Sequence, residues 1–290
     1  MEVEILYAIV ASVIWGGMFA ISKNVKTNQI FQNVYITVGG FATALAVSVM
    51  MHPILTTETL LAGLVSGVLW ACASLSFLYA MKYIGIGRAL PMSVSGQILV
   101  SFLWGALLFG EIIYSGMLNL LMALTAIFLI CASAFIVSRT KENVNAKNFK
   151  TGILAAFLSS LFWGTQFVPV KLVAADAVAV MAPLAAGMLL TASITAFVKF
   201  GKRINLSYSG KERNVLNGLL WAVGNYLALF AIAAIGMARG YMLTQIGAII
   251  IPPLLGVFYF REIRERRNYL LLFLATIIIM AGTVLMTFAK

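Results

Sequence analysis

Apolar residues in this chain come in long runs separated by short polar loops. The runs fall at about 5–22, 33–51, 60–81, 88–109, 113–137, 152–170, 177–198, 215–235, 240–260 and 269–288. A helix needs about 20 apolar residues to cross the hydrocarbon core of a bilayer, and the runs are near that length. Barrel strands are far shorter, and a segment in lipid must satisfy its own backbone hydrogen bonds. The pattern therefore predicts an all-α integral membrane protein of ten transmembrane helices. The first run is retained as a helix rather than cleaved as a secretory signal, because Glu2 and Glu4 stand where a signal carries positive charge.

Composition narrows the class further. Of the 290 residues, 62% are hydrophobic and 10% charged, against roughly a quarter charged in a soluble domain, so no soluble domain fits between the spans. The net charge of +11 does not indicate nucleic acid, because the basic residues sit in short loops rather than on one folded face. Of the 20 Lys and Arg, all but Lys171, Arg239 and Lys290 lie on the side of the loop joining the first two spans. The positive-inside rule then places both termini on the extracytoplasmic side of the cell membrane. Cys72 and Cys131 fall within apolar spans and read as small packing residues, and the single histidine, His52, is in a loop. With no Cys/His cluster at metal spacing and no glycine-rich phosphate loop, the chain is expected to be no enzyme and to need no metal or cofactor. Oligomeric state is left open.

The two ends of the chain repeat each other. A constant offset of 151 pairs Gly67–Glu111 with Gly218–Glu262 without a gap, matching Trp70 with Trp221, Gly85 with Gly236, Arg88 with Arg239, Gly96 with Gly247 and Gly105 with Gly256. An offset of 148 pairs Trp15-Gly16 through Lys23 with Trp163-Gly164 through Lys171. The expected halves are 1–139 and 150–290, joined by a polar linker at 140–149. Five helices is an odd number, so the second half must cross in the opposite sense. Inverted repeats of this kind are typical of secondary transporters, whose solute site lies near the bilayer midplane between the repeats.

Two five-helix halves, each opening with a Trp-Gly helix and each carrying Gly110-Glu111 or Arg261-Glu262 after its fourth helix, resemble the drug/metabolite transporter superfamily. RALPMSVSGQILVS at 88–101, GLLWAVGN at 218–225 and LTQIGAIII at 243–251 resemble, more narrowly, the glucose/ribose uptake porters. The resemblance implies a sugar porter, proton-linked. The chain departs from that pattern at Ala73-Ser74, where Gly-Gln matching Gly224-Asn225 is expected, and at Arg239-Gly240, where small or hydroxyl residues are expected.

Trp15, Trp70, Trp163 and Trp221 stand near the centres of their spans, two per half, and not in the interfacial belts where tryptophan collects. They either pack helices or wall a solute pocket. Ser74 is four residues after Trp70, Asn225 four after Trp221 and Gln166 three after Trp163, so each shares its Trp's helix face. Gln97 and Gln245 are the amides of the fourth and ninth spans. One buried amide is often glue between helices; five polar groups near mid-membrane favour a site for a polyhydroxyl solute. Pro91, Pro169 and Pro252-Pro253 interrupt helical hydrogen bonding and should face protein or a cavity. Lys23 and Lys171 either snorkel to the interface or meet a partner, and Arg88 and Arg239 invite the same two readings.

A cation exporter should carry a carboxylate at mid-membrane, whereas a sugar needs neutral amides and aromatic faces. Uptake of a sugar such as glucose or ribose is therefore the first expectation. Export or exchange of amino acids or other small metabolites is the alternative. The expected partners are one small solute and the lipid bilayer. Every Asp and Glu lies in a loop, at a helix end or near a terminus, so proton coupling would fall to the repeat-matched Glu111 and Glu262.

Overall fold

The computed structural model describes residues 2–110, 116–138, 146–201, 207–235, 242–261 and 265–288. The helices among them are α1 Glu2–Ser22, α2 Gln29–Met51, α3 Thr57–Ile84, α4 Ile86–Leu107, α5 Met117–Ser138, α6 Ala146–Thr165, α7 Val168–Leu172, α8 Met181–Phe200, α9 Lys211–Ile235, α10 Met242–Leu254 and α11 Arg266–Phe288. Among the described residues, nine helices are long and apolar enough to cross a membrane, counting α6 and α7 as one span over Asn148–Leu172. The run expected at 240–260 is a shorter apolar helix, Leu243–Tyr259.

Proline explains where the second half departs from straight helices. Pro169 has no N–H to give to the Thr165 carbonyl, and its ring crowds that same oxygen. Helix α6 ends at Thr165, Gln166 and Phe167 form a turn, and α7 carries Pro169 at its start. Pro252 and Pro253 likewise withdraw two donors from α10, which passes into a wider π turn at Leu255–Tyr259. The matched helices of the first half, α1 and α4, run unbroken to Ser22 and Leu107, although α4 contains Pro91 near its start. One loop feature is shared between positions 148 apart. Asn28 Oδ1 accepts from the Ile30 amide at 3.0 Å, and Asp176 Oδ1 from the Val178 and Ala179 amides at 3.0 and 2.8 Å. His52 and Gly201 end α2 and α8 at positive φ, 46° and 53°, but with ψ of 50° and −127°, so these two caps turn the chain differently.

The most extensive helix contacts all join an element before residue 139 to one after residue 146. Helix α1 lies against α9 and α10, α3 against α6 and α8, α2 against α8 and α9, α4 against α6 and α10, and α5 against α11. In lipid there is little hydrophobic gain from pairing two helices, so close backbone approach and interhelical hydrogen bonds hold them together. A Cβ on Gly218 would collide with the Ile36 carbonyl, and one on Gly67 with the Leu184 carbonyl. Ser159 Oγ donates to Ser93 Oγ at 2.8 Å and Ser160 Oγ to the Ser93 carbonyl at 2.9 Å, tying α6 to α4. Ser133 Oγ ties α5 to α11 through the Ala275 carbonyl at 2.8 Å. Phe128, Phe157 and Phe197 are exposed on the outside of the bundle, where acyl chains cover them. Cys131 is exposed there too, and does not fill the packing role its apolar surroundings suggest.

Candidate functional site

Six elements of the two halves converge on one central cavity with about 390 Å³ of unfilled space, of which the centre of a water molecule can occupy about 40 Å³. Helix α1 contributes Trp15, Met18 and Phe19, and α3 contributes Trp70. Leu90, Val94 and Gln97 come from α4. Trp163 and Gln166 come from the end of α6 and the turn after it, Trp221 from α9, and Gln245 and Ala248 from α10. All four mid-span tryptophans and the three glutamines singled out in the sequence therefore meet at one place. Met18 and Phe19 follow Trp15 by three and four residues, Val94 precedes Gln97 by three, and Ala248 follows Gln245 by three. Helical spacing from the polar and aromatic markers was the signal that would have found them.

Five of the twelve lining residues carry aromatic rings, Trp15, Phe19, Trp70, Trp163 and Trp221. Trp70 and Trp221 lie 4.9 Å apart between centroids, tilted at 56°. Trp163 is held by Phe77 at 5.3 Å and Phe19 at 5.9 Å, with Phe19 and Phe77 themselves 4.6 Å apart. Such offset and tilted contacts are the ones the ring quadrupole prefers, and they leave each indole with little freedom.

The polar groups are fewer and differ in kind. Gln166 occupies the turn that Pro169 creates, is 3% exposed, and its Oε1 has no hydrogen-bond donor. A buried amide oxygen without a donor is destabilising unless a ligand or water supplies one. Gln245 Nε2 donates to Thr244 Oγ1 at 3.1 Å, and Gln97 is buried in the facing wall. No charged side chain stands in the lining among the described residues. Ser74 and Asn225 do not line the cavity, although both share a helix face with a lining tryptophan. Each is fully buried; Ser74 Oγ has no partner, and Asn225 donates through Nδ2 to Met181 Sδ at 3.0 Å while its Oδ1 has none. A shared face sets direction only to within a wide arc, and both side chains end among neighbouring helices.

Two lysines, each five residues past a lining position, lie over aromatic rings outside the lining. Lys23 Nζ lies 4.1 Å from the centroid of the Phe260 ring, and Lys171 Nζ lies 4.1 Å from that of Phe109. Burial lowers the Lys23 ammonium from its ordinary value to about 8, as expected for a cation turned away from water. Arg88, at the start of α4, is buried and donates to the Ile84 carbonyl at 3.4 Å. Glu111, Glu262 and Arg239 lie outside the described residues.

A neutral, aromatic-walled cavity enclosed by helices from both ends of a multi-pass membrane protein defines a transporter of small polar solutes. The chain belongs to the sugar transport protein family, whose model matches residues 6–289. It is 30% identical over 289 residues to a putative sugar uptake protein of Lactiplantibacillus plantarum, covering 99% of each chain. It is 27% identical to a probable glucose uptake protein GlcU of Bacillus cereus and 24% identical to the glucose uptake protein GlcU of Bacillus subtilis, again over 99% of each chain. One solved crystal structure shares the fold at a TM-score of 0.62 with 16% identity, covering 97% of this chain and 94% of the other.

Proposed function

We propose that this protein takes up a neutral sugar of the glucose or ribose type, binding it in the central cavity and exposing it to the two sides of the membrane in turn. In this reading the chain has ten spans, with Leu243–Tyr259 as the ninth, arranged as inverted halves 1–139 and 150–290 about the linker 140–149. Both termini are extracytoplasmic. The gap-free repeat and the pairing of helices across the halves support the arrangement, and the charge bias of the loops supports the orientation. The name of the family and those of the uptake proteins above support a sugar as the solute.

The observation that carries the reading is Gln166. Its acceptor oxygen is buried without a donor, in the wall of a cavity that offers aromatic faces and amides and no charge. A sugar answers each of these: its hydroxyls donate to and accept from Gln97, Gln166 and Gln245, and its C–H faces lie against Trp15, Trp70, Trp163 or Trp221. Ser74 and Asn225 are proposed to act from one turn away, by holding Trp70 and Trp221 in place. A protonated amine would find no counter-charge here, which disfavours exchange of cationic metabolites.

The test is sugar binding to the purified, folded protein, read from thermal stabilisation by ligand. Glucose or ribose should stabilise the parent, and Gln166→Met should weaken affinity by about ten- to hundred-fold, the equivalent of one unpaired buried hydrogen bond. Unchanged affinity would make Gln166 a helix contact, and stabilisation by amino acids alone would replace the sugar reading with the exchanger. Proton coupling is assigned to Glu111 and Glu262. With both changed to Gln, downhill exchange should persist and pH-driven accumulation should vanish; accumulation that survives rules the pair out.

A further inference from the structure

We propose that Lys23 with Phe260 and Lys171 with Phe109 are the two gates of the transport path, one at each face of the membrane. The two ammonium groups stand at the same 4.1 Å from their ring centroids. The lysines are 148 residues apart and the phenylalanines 151, the two offsets of the sequence repeat. The backbone presents both rings in the same way. The Phe109 amide donates five residues back to the Trp104 carbonyl at 3.3 Å, and the Phe260 amide five residues back to Leu255 at 2.8 Å. The next residues, Gly110 and Arg261, then turn the chain with φ of 66° and 51°.

The gates lie on opposite faces. Between Lys23 and Lys171 the chain passes through α2, α3, α4, α5 and the α6–α7 span, each long and apolar enough to cross, and five crossings end on the other side. Each gate also closes the cavity between helices that wall it. Lys23 comes five residues after Met18 on α1 and meets the segment that ends α10, the helix of Gln245. Lys171 comes five residues after Gln166 and meets the segment that ends α4, the helix of Gln97. Each lysine thus follows a lining residue by five positions, at the end of its span. The cavity is narrow, with about 40 Å³ open to the centre of a water molecule, and in this proposal a sugar enters when one gate parts.

Cation–π contacts suit this task. A lysine that only snorkelled would turn its ammonium to water, whereas these two lie over rings. A half-buried cation–π pair shifts an open–closed equilibrium by about 2- to 30-fold, which closes a path without locking it.

These gates presuppose the alternating access proposed above, but not the sugar contacts, so the experiment uses no sugar. A single reporter, Val94→Cys, is placed in the cavity wall of a chain with Cys72 and Cys131 changed to Ala. It is then labelled with an impermeant maleimide from either face in oriented vesicles. Phe260→Leu should raise the labelling rate from the face of residue 23 by about 2- to 30-fold and leave the other face within about twofold. Phe109→Leu should do the reverse. Phe260→Tyr and Phe109→Tyr keep the ring and should match the parent. Equal rates in parent and Leu variants, a rise on both faces in each single variant, or Tyr acting like Leu would overturn the assignment. Where a Leu variant does not fold, as judged by its elution and melting, Lys23→Met or Lys171→Met breaks the same contact from the other side and decides by the same rates.

Discussion

The two halves contribute to the cavity unequally in a telling way. Trp15 and Trp163 occupy matched positions, as do Trp70 and Trp221, and all four line the wall. The amides do not follow suit. Gln166 is matched by Met18, Gln97 by Ala248 and Gln245 by Val94, and every one of these six also lines the cavity. The aromatic walls and the lysine–phenylalanine contacts are thus duplicated, while each hydrogen-bonding position is polar in one half only. A sugar has no two-fold axis, so a symmetric set of donors and acceptors would leave some of them unpaired in any pose, at the usual cost of a buried polar group. On the functions proposed above, duplication serves motion and packing, and its loss serves recognition. The break at Gln166 belongs to the same asymmetry: Pro169 stops α6, whereas the matched residue Ile21 lets α1 continue.

The comparison can be broken most severely at the duplicated crossings. Gly218→Val and Gly67→Val each drive a side chain into a carbonyl of the facing helix. Each should lose more than about 3 kcal/mol of stability, measured by unfolding in detergent, because backbone cannot move aside as a side chain can. Gly17→Ala, with nothing within 4 Å of its new methyl, should be nearly silent. If Gly218→Val and Gly67→Val differ widely, the crossings are not equivalent.

Next in size are the unduplicated amides. Gln97→Ala and Gln245→Val install in each case the residue of the matched position and, like Gln166→Met, should cost about 1–3 kcal/mol in sugar affinity with little change in melting. Titration calorimetry on the folded variants distinguishes this from a loss of packing, which would lower the melting temperature and leave the affinity of the surviving protein intact.

The smallest effect is expected at the turns behind the gates. Arg261 holds a left-handed φ of 51° where the first half has Gly110 at 66°. Arg261→Gly relieves that strain but frees the unfolded chain, so it should change stability by no more than about 1 kcal/mol. Gly110→Arg should lose about 1 kcal/mol. A large loss in Arg261→Gly would show that the arginine side chain, and not the turn, is what the second half needs there.

Helical class, nine of the ten expected spans and the internal repeat of the sequence were legible because each depends on something local. Lipid demands about 20 apolar residues per crossing, and a repeat is visible wherever two stretches match. Pro169 was legible as an interruption of its span, and the four tryptophans and three glutamines as polar or aromatic marks inside apolar runs. Only the tertiary structure decided which marks meet. Ser74 and Asn225 share a face with lining tryptophans yet end between helices, while Met18 and Val94, whose spacing from Trp15 and Gln97 gives the same kind of signal, reach the cavity. Phe109 and Phe260 gave no sign that lysines from the far half of the chain would lie over them. Helical periodicity sets the direction of a side chain about its own axis. What stands opposite is set by how closely and at what angle two helices cross, and here glycines on one helix and carbonyls on its neighbour, distant in sequence, settle that together.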